Sequence, residues 1–239
     1  MRSFIISYNR AGKMSTTDWN DTATILIRES QREAYEEEQY PNPLLVIPDS
    51  EDGNPSKARN AILKRYPGED VLILDDDIRA VGYFELGAQH EASQAQFYAQ
   101  AETMFQMCHD MNTSQWGFNV NESRKFYREY SPFSLSSVVL GPVSGIITND
   151  NILYDESIWL KEDYDFWLQK MLKHRRTLRN NKWFYYSPHL TVAGGLSSVR
   201  TSDLEKEHAK MFQSKWGSKI VQVKQGDTNP VVRVPIRGI

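Results

Sequence analysis

The sequence predicts an α/β protein built on a mostly parallel sheet with helices on both faces. Three observations carry that expectation. Short apolar runs at 4–7, 24–28, 44–47 and 71–74 alternate with polar loops and charged helical stretches. The run 71–74, Val-Leu-Ile-Leu, is apolar throughout, as a strand buried on both faces would be. It leads straight into Asp75, Asp76 and Asp77, and open α/β sheets bind ligands at the carboxyl ends of their strands.

Residues 4–7 form the first strand and end in a polar turn, Ser7-Tyr-Asn-Arg-Ala-Gly12. Tyr8 is suited to stack on a base, and Asn9 and Arg10 to bond a ribose or phosphate; the same residues also suit an ordinary connecting loop. The β-branched run 24–28 is the second strand. A helix follows over 31–39, with Ser30 as its expected cap and Glu33 in a capping box, ended by Pro41 and Pro43. The third strand, 44–47, closes at Pro48. A polar loop from Asp49 leads to a helix over 56–66, stopped by Pro67 and Gly68.

The first turns of that helix carry Lys57, Arg59 and Asn60. Cations there oppose the helix dipole, so they either face water or meet a phosphate anion that the dipole also attracts. Next come the strand 71–74, the aspartates and a strand over 80–84. Asp75 and Asp77, two apart on extended backbone, would point the same way and share one ion; the alternative is a solvated acidic turn.

The order of these pieces resembles a glycosyltransferase of the GT-A, Rossmann-like fold. The matching segments are the Ser7-Tyr8-Asn9-Arg10 loop, the Ser-Lys-Ala-Arg-Asn helix start at 56–60, and the strand ending in an Asp75-Asp76-Asp77 DXD motif. The resemblance implies that Ser7, Tyr8, Asn9, Arg10 and Asp49, together with Lys57, Arg59 and Asn60, hold the nucleotide of an activated sugar. Asp75 and Asp76 would lie against its diphosphate, and Asp75 and Asp77 would hold Mn²⁺ or Mg²⁺. A UDP-sugar, UDP-glucose first, is the implied donor.

In the second half, 92–111 has a helical period with apolar positions to pack, and its lone Cys108 reads as a buried apolar residue. Residues 115–119 suit a strand or tight loop, 124–130 are aromatic and charged, and 131–149 suit strands and a substrate-facing loop. Glu162, Asp163 and Asp165 open an apolar helix, where carboxylates are welcome by dipole alone. The resemblance implies that Asp163 is the base that takes the acceptor's proton, with Glu162 and Asp165 beside it.

The basic run Lys170, Lys173, Arg175, Arg176, Arg179 and Lys182 leads into Trp183-Phe-Tyr-Tyr186. It fits either a nucleic-acid contact or a helix end entering a buried aromatic strand. The resemblance further suggests His189, or failing it His208, as a metal ligand. Gly194 and Gly195 would permit close backbone approach to the donor, and Arg200 would reach its diphosphate. A last helix is expected over 202–216, capped by Ser202.

The chain has 239 residues, one cysteine and a formal charge of −3. One domain is expected, with 1–84 holding the nucleotide-sugar and 85–239 the acceptor. Bulk coating of nucleic acid by charge and an internal disulfide framework are both excluded. With no apolar span and no signal-peptide pattern, the expected setting is the cytoplasm, without a membrane.

The acceptor is less determined by these residues. Among GT-A enzymes the chain most resembles the small glycosyltransferases linked to base-hydroxylating dioxygenases. These are often phage-encoded and modify hydroxymethylated pyrimidines in DNA, so the host cytoplasm is then the setting. A glycan, lipid or protein acceptor fits the same core. A nucleotidyltransferase and a non-catalytic nucleotide-binding module are the rivals; the first lacks its Gly-rich loop here, with only Gly12 near the first strand.

Overall fold

Each of the four early apolar runs becomes a strand of one sheet in this computed structural model, which describes residues 1–120, 122–187, 200–224 and 229–234. In chain order the first half comprises β1 (Arg2–Ile6), β2 (Thr24–Arg28), α1 (Arg32–Glu37), β3 (Leu44–Ile47), α2 (Pro55–Arg65), β4 (Asp70–Asp75), β5 (Ala80–Glu85) and β6 (Ala88–Glu91). The second comprises α3 (Gln94–Asp110), β7 (Gln115–Asn119), β8 (Phe133–Ser134), β9 (Val143–Ile147), α4 (Glu162–His174), β10 (Leu178–Tyr186), α5 (Ser202–Trp216), β11 (Val221–Gln222) and β12 (Val231–Val232).

The sheet order is β3-β2-β1-β4-β9-β7-β10-β5-β6, with β8 beside β10, while β11 and β12 form a separate pair. β3, β2, β1 and β4 are mutually parallel. Beyond β4 the sheet becomes mixed: β9 runs antiparallel between β4 and β7, and β10 is parallel to β7 but antiparallel to β5. The carboxyl ends of β1 and β4 therefore share an edge with the start of β9.

Alternation along the strands divides the core between two faces. Ile5, Leu72 and Leu74 point to one face, where Phe97, Met104, Phe105 and Cys108 of α3 cover them. Phe4, Val71 and Ile73 point to the other, against Ala58, Ala61 and Ile62 of α2 and Phe166 of α4. Each such large side chain contributes about 1.5–3 kcal/mol on full burial. This sandwich holds the ends of β4, α2 and α4 in fixed register.

Three local expectations change. Ser30 lies inside a 3-10 turn, Glu29–Gln31, so it does not cap α1; its N–H instead donates to Asp49 Oδ1 at 3.0 Å. The cap of α5 is Thr201, whose hydroxyl accepts from Leu204 N–H at 3.2 Å, rather than Ser202. The exposed strand β6 has no apolar alternation and exists through its hairpin pairing with β5. No helix among the described residues is long and apolar enough to cross a membrane.

Candidate active site

The three aspartates end β4 in two different environments. The strand stops at Asp75, and Asp76 and Asp77 form a turn. The extended-backbone reason for pairing Asp75 with Asp77 therefore lapses, and each finds its own partner.

Asp75 faces α2 and α4. Arg59, 4% exposed, donates from one guanidinium nitrogen to Asp75 Oδ1 at 3.1 Å. Its other terminal nitrogen bonds Glu162 Oε1 at 2.7 Å and lies 3.9 Å from Asp163 Oδ1. One buried cation thus serves three carboxyl groups. Asp163 Oδ2 accepts from the Gly141 N–H at 3.0 Å, while its Oδ1 is buried without a hydrogen bond among the described residues. Gly141 is needed here because a Cβ would sit 2.5 Å from the Arg59 guanidinium.

Charge is poorly compensated in this cluster. Burial pushes Asp75 up to about 7; Arg59 opposes the shift, and Asp77, Asp163 and Asp76 add to it, although a third of its side chain is exposed. Burial, then the neighbouring Asp163, holds Glu162 well above the carboxylate range.

Asp76 and Asp77 turn toward the first loop. Ser7 Oγ donates to Asp76 Oδ2 at 2.6 Å, and Arg10 bonds Asp76 and reaches Asp77 Oδ2 at 3.2 Å. Burial raises Asp76 to about 6 against the pull of Arg10 and Ser7. Tyr35 braces the loop: its hydroxyl lies 2.7 Å from Ser7 Oγ and accepts from Arg10 N–H at 3.1 Å. Ser187, after β10, donates to Asp77 Oδ1 at 2.9 Å. Five carboxyl groups from β4 and α4 thus meet two arginines.

A profile of the TET-associated glycosyltransferases matches residues 1–195. The chain belongs to that family. No curated protein matches its sequence. Among solved structures, S. aureus TarS 1–349 in complex with UDP-GlcNAc is similar at 15% identity and a TM-score of 0.52, over 90% of this chain and 66% of that one. The mannosyltransferase PcManGT from Pyrobaculum calidifontis, in complex with GDP-Man and Mn²⁺, is similar at 11% identity and a TM-score of 0.52, over 77% of this chain and 55% of that one. The chain thus spans less than two thirds of either structure. The fold they share with this chain is GT-A.

Several other residues singled out in the sequence lie elsewhere or have other partners. Asp165 is fully buried but turns to α5, where Trp216 Nε1 donates at 2.7 Å and Lys215 pairs at 2.8 Å. Asp165 is two positions beyond Asp163 on α4, a rotation of about 200°, which turns the two side chains to opposite sides of the helix. Asn60 also turns away: it donates to Tyr154 O at 2.9 Å and Glu156 Oε1 at 3.0 Å, and accepts from Tyr154 N–H. Lys57 is half-buried at the start of α2, with no ion pair among the described residues. Tyr8 stacks under Arg28, whose guanidinium carbon is 4.1 Å from the ring centre, and Arg28 pairs with Asp52. Asn9 bonds Gln31. Arg200 and Lys161 both bond Glu205 of α5.

His189, Gly194 and Gly195 lie outside the described residues. His208 is buried against Trp159, and burial lowers its basicity.

The basic run 170–182 is not one surface. Lys170 is fully buried on Asp150 at 2.8 Å, Lys182 pairs with Glu85, and Trp183, Phe184 and Tyr185 are core residues. A sequence free of acids between these cations did not reveal an acid brought in from another strand. Sequence reasoning also missed Gly141, Tyr35 and Ser187. The Gly141-Pro142 pair was the one available signal, marking a turn that admits a close neighbour.

Proposed function

We propose that this glycosyltransferase moves a sugar from a nucleotide-diphosphate sugar to a hydroxyl, with a divalent ion at the end of β4. The observation that carries the reading is the under-neutralised row of carboxyl groups around Arg59, with the bare, buried Oδ1 of Asp163 in it.

That excess of acid suits a cation. Among the described residues no three acidic, histidine or cysteine side chains converge closely enough to hold one alone. Asp75 and Asp77 would hold Mn²⁺ or Mg²⁺. When bound, the ion supplies positive charge against the departing diphosphate. The solved relatives carry UDP-GlcNAc, and GDP-Man with Mn²⁺, and sharing their fold supports a donor of this class. A UDP-sugar, with UDP-glucose first, is the donor we assign.

Asp163 takes the acceptor proton, the Gly141 N–H fixing one of its oxygens. As the acceptor oxygen bonds the anomeric carbon, the bond from that carbon to the diphosphate breaks and the nucleoside diphosphate leaves. Arg59 holds Glu162 and Asp163 in place and is itself too enclosed to meet a phosphate. The family's association with TET-type dioxygenases supports a 5-hydroxymethylpyrimidine in DNA as the acceptor. Such a base leaves the duplex to be reached.

Manganese-dependent hydrolysis of UDP-glucose, scored by UDP release, tests the donor half. It should disappear in Asp77→Ala. Turnover of a nucleoside triphosphate instead would assign a nucleotidyltransferase. Transfer of labelled glucose to hydroxymethylated DNA tests the acceptor half.

A further inference from the structure

The exposed aromatic side chains among the described residues gather in one place. Phe126, Tyr130 and Phe133, 68%, 87% and 38% exposed, all fall within residues 126–133. Arg124, Lys125 and Arg128 are interleaved with them, exposed and without a carboxylate partner among the described residues. Over residues 122–133 three cations face two acids, Glu122 and Glu129, a net charge of +1.

The segment is held firmly. Tyr127 is buried and stacks on Phe84 with ring centres 4.7 Å apart and planes 8° apart. Arg124 lies across the β5–β6 turn, so close that a Cβ on Gly87, itself at φ +79°, would meet its guanidinium at 2.5 Å. Arg128 donates to two carbonyls of its own turn.

Buried rings join the patch to the end of β10. From Tyr127 a row of rings runs through Phe84 and Phe184 to Tyr186, with centres 4.6 and 5.3 Å apart along the last two steps. Ser187 follows Tyr186 and bonds Asp77.

Exposed rings cost solvation, and the cations beside them have no carboxylate partner among the described residues. Together they match what a nucleic-acid strand presents: phosphates spaced along a backbone and flat bases between them. We propose that residues 124–133 are the surface on which DNA docks. Arg124, Lys125 and Arg128 take phosphates, and Phe126 and Tyr130 stack on bases beside the displaced acceptor nucleotide. This rests on the DNA-acceptor reading above and places the strand on the outer side of β5 and β10 instead of on the basic run of α4.

The test compares the full chain with two variants, R124Q/K125Q/R128Q and F126A/Y130A. Binding of a short fluorescein-labelled DNA carrying a 5-hydroxymethylpyrimidine is read by anisotropy over a range of KCl. Each phosphate contact contributes about 0.9 to the slope of log affinity against log salt, so the charge variant should flatten that slope by about 2 to 3. The ring variant should weaken single-stranded binding roughly tenfold per ring and leave the slope unchanged. Both should hydrolyse UDP-glucose at the wild-type rate, and Lys125→Gln alone, whose side chain holds none of the contacts above, should keep the wild-type melting temperature and flatten the slope by about 0.9.

If the wild type glycosylates DNA and both variants bind and glycosylate it equally well, the docking surface is wrong and the acceptor reading stands. If the wild type hydrolyses UDP-glucose but neither binds nor glycosylates DNA, the acceptor reading fails and the surface falls with it. Loss of UDP-glucose hydrolysis in either variant would also overturn the proposal, because it would tie the patch to the donor site.

Discussion

The two ends of α4 carry buried ionic clusters of opposite character. At its start, Glu162 and Asp163 share Arg59 with Asp75, and carboxyl groups outnumber the cation three to one. At its end, Lys170 and His174 converge on Asp150 at 2.8 and 2.6 Å, with Ser114 donating at 2.7 Å. There the donors outnumber the acid. Against the cost of burial, the hydrogen bond from His174, then Lys170 and Ser114, hold Asp150 well below the ordinary carboxylate range. The same helix thus meets a fully satisfied acid from a distant loop at its end and carries two that are not satisfied at its start. A satisfied buried ion pair locks elements together. An under-neutralised one leaves charge and lone pairs available to a ligand, which is how binding and catalytic sites differ from structural ones.

Replacing an acid at each end would break or sharpen this contrast. The largest effect is expected on activity from Asp163→Asn. It removes the proton acceptor but keeps the shape, so sugar transfer should fall by about a thousandfold, within the range for a general base. The melting temperature should stay level or rise, because one of three competing carboxylates has gone. A fall of several degrees with activity intact would place Asp163 in the structural class.

Asp150→Ala should do the reverse. It strands buried Lys170, and urea denaturation should report a loss of about 3 kcal/mol or more. Sugar transfer by the fraction that remains folded should be little changed.

The smallest effect is one of pH. The folded values of Asp75 and Asp76, about 7 and 6, lie above the ordinary value near 4. Ionising them therefore costs the folded state, so without added metal their contribution to stability declines as pH rises from about 4 through 7. Asp150 has the opposite sign and loses its contribution only as pH falls below the ordinary carboxylate value. The difference in melting temperature between wild type and Asp75→Asn should therefore grow between pH 5.5 and 7.5. Added Mn²⁺ should shrink it at the upper pH, because only the carboxylate form binds the ion. A pH-independent difference would remove the charge excess from the account of the site.

Much of this was legible in residue order. The parallel strands at 24–28 and 44–47 keep their predicted bounds, because a β-branched run in the first and an apolar run between Pro43 and Pro48 in the second specify strands locally. That acids end β4 and begin α4 could also be read directly. Lys170 could not be placed: a cation in a helix tail looks the same whether it faces water or Asp150 of a distant loop. The same holds for Asp163 and Asp165, equally acidic and two apart, of which one joins Arg59 and the other α5.

The sequence alone determined the alternation of elements, the position of the acidic strand end and the helix that answers it, because each is a pattern within a few residues. Only the tertiary structure decided how charge is shared. Arg59 and Glu162 are 103 positions apart, and packing α2 and α4 on one face of the sheet is what brings them to 2.7 Å. Ion pairing depends on distance and burial in space, and neither is encoded in the spacing along the chain.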